Sequence, residues 1–262
     1  MNLARRAFFG VLAAAANPRA SLSSPAVSRH YQPRVTQSEL EDAIPLHSLW
    51  LDGDERGRRA VFSNRDLSGL DFGRTRSELV VLRDADFTEA DLTGIQGNEV
   101  NFHCASLQGA RLSYSNLIAP IFSGATLRRA ECKSAVWGRP ANPVLESSNF
   151  SDLPAISATF IQTDLSLACF DNSMIRGYFS GASFSQASLR HADFDRTIFG
   201  GVEIFCQNSF SEACLLGTSF KGAQITAARF RFAKLEDVDF SNAQIGPGCT
   251  WPPHYTPPLS PQ

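Results

Sequence analysis

Large apolar residues recur at every fifth position between residues 85 and 122. An amphipathic helix repeats its apolar face at about 3.6 residues and a half-buried strand at about 2, so neither element accounts for this spacing. Self-similarity at a fixed period instead predicts a stacked repeat, in which each unit buries its apolar side against its neighbours. The residues that keep the spacing here are Phe87, Leu92, Phe102, Leu107, Leu112, Leu117 and Phe122.

The same spacing extends over most of the chain. The spacing shortens by one residue between the segments that end at 175 and begin at 179, and it lengthens by one residue between those that end at 204 and begin at 210. Two of the every-fifth positions, Ser77 and Gly97, hold small residues in place of large apolar ones, and they lie twenty residues apart. Counting every fifth position over the four segments gives 36 sites. The four segments in register are 62–137, 150–175, 179–204 and 210–245.

The repeated unit is a small residue, then Asp, Asn or Ser, then Leu or Phe, then two mostly polar residues, as in A-D-F-T-E from Ala85 and A-D-L-T-G from Ala90. This unit resembles the repeat of the pentapeptide-repeat family. The resemblance implies an all-β fold, a right-handed quadrilateral parallel β-helix with one pentapeptide per face and four per coil. About nine coils, on the order of 40 Å of stack at the usual strand spacing, are then expected. The central and small residues would point inward.

Length and composition fit one domain of this kind. The 262 residues are 43% hydrophobic, and 20 Phe stand against four Tyr and three Trp. Such a bias suits an interior of rings without polar atoms, since a buried Tyr or Trp needs a hydrogen-bond partner. Residues 1–38 hold five Arg and no acid, whereas six acids lie within residues 39–55. The charge of the β-helix itself is therefore nearly balanced.

The N-terminal segment, residues 1–37, is predicted to be signal-like and disordered. The apolar run from Phe8 to Ala16 is too short to span a bilayer but fits the core of a signal peptide. Arg5 and Arg6 before it resemble a twin-arginine export signal, which predicts a periplasmic or extracellular protein. A mitochondrial-type presequence and a plain tail on a cytoplasmic protein are the alternatives. No later run is apolar enough for a transmembrane helix.

Residues 38–58 are predicted to form a capping helix and leader that cover the apolar end of the first coil. Ser38 and Glu41 have the spacing of a capping box, and Pro45 is expected to kink or divide the helix. His47 and Trp50 raise the alternative of a ligand site, although packing on the cap explains both. One face of this helix would carry Leu40, Ile44, His47 and Leu51.

The β-helix is predicted to span residues 59–246, with a loop or register break near 138–149. Two prolines in that break cannot donate to a strand ladder, which favours a protruding loop. Residues 247–262 are Pro-rich and are predicted to form a C-terminal cap and tail. The lid on the last coil is expected to consist of two aromatic residues, Trp251 and Tyr255.

No residue pattern indicates chemistry. The sequence has no C-x-x-C pair, no His at a zinc-ligand spacing, no G-x-S-x-G and no phosphate-binding loop. The repeat explains Asp66, Asp71, Asp86 and Asp91, and Cys132 is a small core residue. We therefore predict no catalytic, cofactor-binding or metal-binding residue and no enzyme activity. Scattered spacing makes a disulfide framework unexpected among Cys104, Cys132, Cys169, Cys206, Cys214 and Cys249.

Two functions remain open. The first is a scaffold whose flat faces bind an unknown protein partner, with no small-molecule substrate expected and a dimer through one end of the β-helix as a further option. The second follows from the resemblance, since some family members mimic DNA and bind type II topoisomerases such as gyrase. That alternative requires a long acidic stripe, whereas the outward positions here include many cations, which form no continuous tract for nucleic acid either. These cations are Arg74, Arg76, Arg111, Arg128, Arg129, Lys133, Arg229, Arg231 and Lys234.

Overall fold

The structure, a computed structural model, describes residues 34–73, 80–138, 158–200 and 207–256. One helix, α1, precedes a stack of short parallel strands, so the all-β solenoid with an N-terminal capping helix is confirmed. The predicted export signal and most of the loop predicted near 138–149 lie outside the described residues. So do Arg5, Arg6, Arg74, Arg76, Ser77, Phe150, Ile204 and Cys206.

The strands are short because each side of a coil is only one pentapeptide long. Helix α1 spans Gln37–Leu51, and the strands have two to four residues each. The strands are β1 Gln96–Asn98, β2 Asn116–Ile118, β3 Val136–Trp137, β4 Ala158–Ile161, β5 Met174–Ile175, β6 Gly177–Ser180, β7 Ile198–Phe199, β8 Asn208–Ser209, β9 Gln224–Ile225, β10 Ala228–Arg229 and β11 Gln244–Ile245.

Successive coils pair in parallel, and the separation of the paired residues gives the size of each coil. Asn101 pairs with Ile121, which lies four pentapeptides further along the chain, and this spacing confirms four faces per coil. The coil from Thr159 to Tyr178 is shorter by one residue, which is the predicted loss. The coil from Ile198 to Gln224 is longer by one pentapeptide and one further residue, in agreement with the predicted gain.

The predicted number of nine coils is slightly too high. Val61 pairs with Asp86, one pentapeptide beyond the regular spacing, and Ile121 pairs with Thr159, which lies almost two regular coils further on. Pentapeptides counted within these longer separations add no level to the paired stack. One face therefore carries eight stacked positions: Val81, Asn101, Ile121, Thr159, Tyr178, Ile198, Gln224 and Gln244.

The core is a column of aromatic rings, one above another. Phe102 stacks on Phe122 with ring centres 5.2 Å apart, and Phe122 stacks on Phe160 at 5.3 Å. The column continues from Phe160 to Phe179 at 4.3 Å and on to Phe199 at 4.8 Å. All five rings are buried, as the inward central positions predict.

Gly97 has no room for a side chain, which explains the small residue at this central position. An added Cβ would lie 2.6 Å from the Cγ2 of Val100 and 3.2 Å from both the Cβ of Phe72 and the Cδ2 of Leu117. These neighbours fill the interior in place of a large central residue, so the core stays closed here.

The Asp of the repeat has a structural role at each turn. Its carboxylate accepts the backbone N–H two residues later, at 2.9 Å from Ser68 to Asp66 and from Thr88 to Asp86. The last residue of the pentapeptide adopts the left-handed region, as Asn64 does with φ 58°. The carboxylate thus stabilises a turn that the backbone must make at every corner, which agrees with the assignment of these Asp residues to the repeat.

The start of α1 corrects one sequence-based expectation. The capping box is formed by Thr36 and Glu39, and the box predicted from Ser38 and Glu41 is wrong by two residues. Val35 pairs with Asp66 through a 2.7 Å backbone hydrogen bond, so the chain stays extended up to Thr36 and the helix starts directly after it. Pro45 lies inside one continuous helix and does not divide it.

Aromatic residues cover the last coil. Trp251 stacks on Phe230 with ring centres 4.7 Å apart and meets Phe240 edge-on at 5.5 Å. Tyr255 stacks on Trp251 at 5.3 Å. The two residues therefore form the lid expected at this end.

Candidate interaction surface

The described part of the chain contains no group of three or more His, Cys, Asp and Glu that could hold a metal ion. Within the same ranges, no helix has the length and apolar character needed to cross a membrane. Cys104, Cys132, Cys169, Cys214 and Cys249 carry free thiols. Burial raises the pKa of the Cys132, Cys169 and Cys249 thiols above the ordinary value, which disfavours the nucleophilic thiolate.

His47 is held by the fold and is not exposed to a ligand. Its ring is fully buried, and both nitrogens have partners in the first coils. Nδ1 accepts the backbone N–H of Ala60 at 3.0 Å, and Nε2 lies 2.8 Å from the carbonyl oxygen of Arg83. Trp50 stacks on the imidazole with centres 5.4 Å apart. Packing on the cap thus accounts for both residues.

On one side of the stack, which we call the charged face, an arginine lies between two acidic residues of the neighbouring coils. Arg111 lies one coil from Asp91 and one coil from Glu131, with N–O distances of 2.9 Å and 3.8 Å. A cation is therefore inserted into what would otherwise be an acidic stripe. The outward positions of this face are Asp66, Asp91, Arg111, Glu131, Cys169, Ser188, Cys214 and Lys234.

The adjoining hydroxyl face carries Ser and Thr side chains that bond to each other between coils. Ser166 lies 2.9 Å from Ser183, and Ser185 lies 3.1 Å from Ser209, measured between hydroxyl oxygens. These hydroxyls satisfy one another along the stack, so the face is already hydrogen-bonded. Its outward positions are Asp86, Ser106, Thr126, Asp164, Ser183, Ser209 and Arg229.

The opposite side, the uncharged face, is formed by the eight positions that begin at Val81. From Asn101 onward its described residues include no Asp, Glu, Lys or Arg. Ile121, Tyr178 and Ile198 are half-buried in the outward row, and Ile161 beside them is 40% exposed. The fourth side, the mixed face, combines Gln96, Asn116, Val136 and Met174 with Asp71, Asp193, Ser219 and Asp239.

Sequence comparison matches eight copies of a repeat described as pentapeptide repeats, over residues 81–117, 173–201 and 209–242. The gap from 118 to 172 includes the enlarged coil from Ile121 to Thr159, and the gap from 202 to 208 lies in the enlarged coil from Ile198 to Gln224. The matched ranges therefore leave out most of both enlarged coils. No curated protein sequence matches the chain.

Among solved structures, 29 chains are similar to this one. HetL, a pentapeptide repeat protein involved in heterocyst differentiation regulation from the cyanobacterium Nostoc, is 17% identical over 81% of this chain and 95% of its own, with a TM-score of 0.35. QnrB1, a plasmid-mediated fluoroquinolone resistance protein, is 14% identical over 72% and 92%, with a TM-score of 0.43. A pentapeptide repeat protein from the Arabidopsis thaliana thylakoid lumen is 22% identical over 51% and 70%, with a TM-score of 0.30.

Proposed function

Because the chain is a pentapeptide-repeat protein, we propose that it is a non-enzymatic scaffold whose uncharged face binds another protein. The absence of Asp, Glu, Lys and Arg from the described residues of this face between Asn101 and Gly246 is the observation that carries the proposal. Interface cores are depleted in charged residues and enriched in aromatic ones, and Tyr178 with its Ile neighbours has that composition. The charged face has the opposite character, so contact with a partner there would cost more desolvation.

The size of the uncharged face limits what the partner can be. Eight positions at a strand spacing of about 4.8 Å extend roughly 34 Å, and a three-residue strand is about 10 Å wide. The resulting area of roughly 340 Å² is less than the ~800 Å² that each side of a typical stable complex buries. We therefore propose an elongated partner that runs along the stack and also contacts a neighbouring corner.

One coil allows all four faces to be tested under matched conditions. Thr159, Asp164, Cys169 and Met174 occupy the outward positions of the uncharged, hydroxyl, charged and mixed faces in that coil, and each is half-buried. A photo-cross-linking amino acid placed at each position in turn should form a defined protein adduct in cells from position 159. The adduct would be measured by immunoblotting and identified by mass spectrometry.

The other three positions are the controls, since they lie in the same coil and are also half-buried but belong to other faces. Ile161→Asp should abolish the adduct from position 159, because it places a charge in the contact. Equal adducts from all four faces, or an adduct only from position 169, would exclude the uncharged face as the binding surface.

The topoisomerase alternative has no support from the charge arrangement. A DNA mimic needs a continuous negative surface, whereas Arg111 neutralises the charged face between Asp91 and Glu131. We therefore expect the purified protein at micromolar concentration to leave the supercoiling activity of gyrase unchanged in a gel assay. Strong inhibition would instead favour the gyrase-binding function over a scaffold for another partner.

A further inference from the structure

The N-terminal end of the β-helix is closed by side chains that take the place of a missing coil. Gln37, the first residue of α1, bonds both backbone groups of Asp71 through its amide. The side-chain nitrogen donates to the Asp71 carbonyl at 2.8 Å, and the side-chain oxygen accepts the Asp71 N–H at 3.0 Å. A primary amide here reproduces the two bonds that a preceding strand would make.

His47 does the same on the uncharged face. Between regular coils, a backbone N–H of one coil donates to a carbonyl of the following coil. Asp84 donates in this way to the carbonyl of His103, at 2.9 Å. The Arg83 carbonyl occupies the equivalent position one coil earlier, and it receives the Nε2–H of His47 at 2.8 Å. The imidazole therefore replaces a backbone donor at the end of the stack.

The second nitrogen of the imidazole fixes its protonation state. The small residues of regular coils donate their N–H to the carbonyl three residues back, as Ala85 does to Leu82 at 3.1 Å. Ala60 donates instead to Nδ1 of His47, at 3.0 Å. A backbone N–H can only donate, so Nδ1 must be an unprotonated acceptor and the hydrogen must be on Nε2. Only the neutral ring can make both bonds.

From this geometry we propose that α1 is an acid-released cap, which leaves the first coil when a solvent proton binds Nδ1 of His47. A protonated Nδ1 is a hydrogen-bond donor and would face the N–H of Ala60, which is also a donor. The hydrogen bond from Ala60 to His47 would therefore be lost. The charged ring would also be buried, and burying an unpaired charge is costly, so protonation of the ring favours the state in which the ring reaches solvent. Release of α1 would expose the apolar end of the core that Leu40 covers.

The charged groups around the ring do not reverse this effect. Arg59 disfavours the protonated ring and Asp84 favours it, but Asp84 is itself paired with Arg83 at 3.2 Å. The acids of α1 and its C-terminal cap, Glu39, Glu41, Asp42 and Asp52, are exposed or only partly buried. Burial is the largest influence and lowers the pKa of His47 below its ordinary 6.5. The cap is therefore fully stabilised above that pH and loses this stabilisation as the pH falls below it.

Hydrogen exchange of the full-length chain tests the proposal. Protection of the amides in Gln37–Leu51, corrected for intrinsic exchange rates, should fall by about tenfold or more between about pH 7.5 and pH 5. Strands β1 and β2 should keep their protection over the same interval. The capping box should stay intact at this pH, because hydrogen bonds from the backbone and side chain of Thr36 hold the pKa of Glu39 below 4.5.

Two variants separate His47 from other titrating groups. In His47→Gln, protection of α1 should no longer depend on pH in this range, whereas the exposed His191→Gln should behave like the natural chain. Because His47→Gln can itself loosen the cap, the His47 ring should also be followed by NMR in the natural chain. Its protonation should coincide with the loss of α1 protection. Unchanged α1 protection at pH 5, or a protonated His47 with α1 still in place, would overturn the proposal.

Discussion

Replacing Phe122 by Ala is expected to lower the free energy of unfolding by about 3–5 kcal/mol, measured by denaturant titration. The ring is fully buried and contacts three aromatic neighbours. Its centre lies 5.2 Å from Phe102, 5.3 Å from Phe160 and 4.9 Å from Trp137. The backbone pairing on both sides holds the coils at a fixed spacing, so the cavity has little freedom to collapse.

The matched control is Ser123→Ala, in the same pentapeptide. Ser123 is the next residue and points outward, so its loss should change the free energy of unfolding by no more than roughly 0.5 kcal/mol. Similar effects at the two positions would contradict an interior column of central residues.

Asn208→Ala is expected to lower the free energy of unfolding by about 1–3 kcal/mol, because it leaves the buried N–H of Ala182 without its partner. It also removes one of the two hydrogen bonds to the Phe179 carbonyl, which still accepts the N–H of Gly200 at 2.9 Å. Asn208 is fully buried and lies within the enlarged coil between Ile198 and Gln224. Its side-chain oxygen accepts the N–H of Ala182, and its side-chain nitrogen donates to the carbonyl of Phe179, both at 3.1 Å. The amide thus replaces backbone bonds where the regular coil is interrupted. Denaturant titration of the purified variant measures the loss.

Two further variants sharpen this test. Asn208→Asp keeps the acceptor for Ala182 but loses the donor to Phe179, and it should also be destabilised. Asn116→Ala, at an exposed strand position, should have an effect of no more than roughly 0.5 kcal/mol. Equal stability of the Asn208→Ala and Asn116→Ala variants would show that the buried amide contributes nothing.

The fivefold spacing predicted the fold because each pentapeptide has its contacts within its own coil and the two adjacent coils. Each central residue, such as Phe102 or Phe122, is buried by the coils directly before and after its own, and the Asp before a central residue bonds within its own turn. Any regular stretch therefore carries the information for its own pentapeptide. The inward and outward positions could be predicted without knowing how many coils there are.

The uncharged face could not be predicted in the same way. Ile121 and Tyr178 share it only because the coil after Ile121 is almost twice the regular length and the next coil is one residue short. Two regular coils counted from Ile121 would end at Ile161, which is not in the outward row that contains Thr159 and Tyr178. Which residues stack depends on the size of each insertion, and the whole pentapeptides within an insertion do not shift the fivefold spacing.

The cap was predicted in kind but not in detail. Helical spacing places Leu40 and His47 on one face, and both are buried. The bonds from Gln37 to Asp71 depend on where the first coil ends in space, which the local sequence does not specify. No sequence signal marks an amide or imidazole that completes a strand ladder, since Gln and His are common at helix surfaces.

Closure of the first coil by side chains also determines how the molecule meets copies of itself. Without α1, the N–H of Ala60, both backbone groups of Asp71 and the carbonyl of Arg83 would lie unpaired at the open end of the stack, where a strand from another chain could bond to them. Gln37 and His47 occupy those groups one by one. Neither side chain offers a new row of donors and acceptors behind it. The sheet therefore terminates within its own chain, and growth into fibres from this end is blocked while the cap is in place.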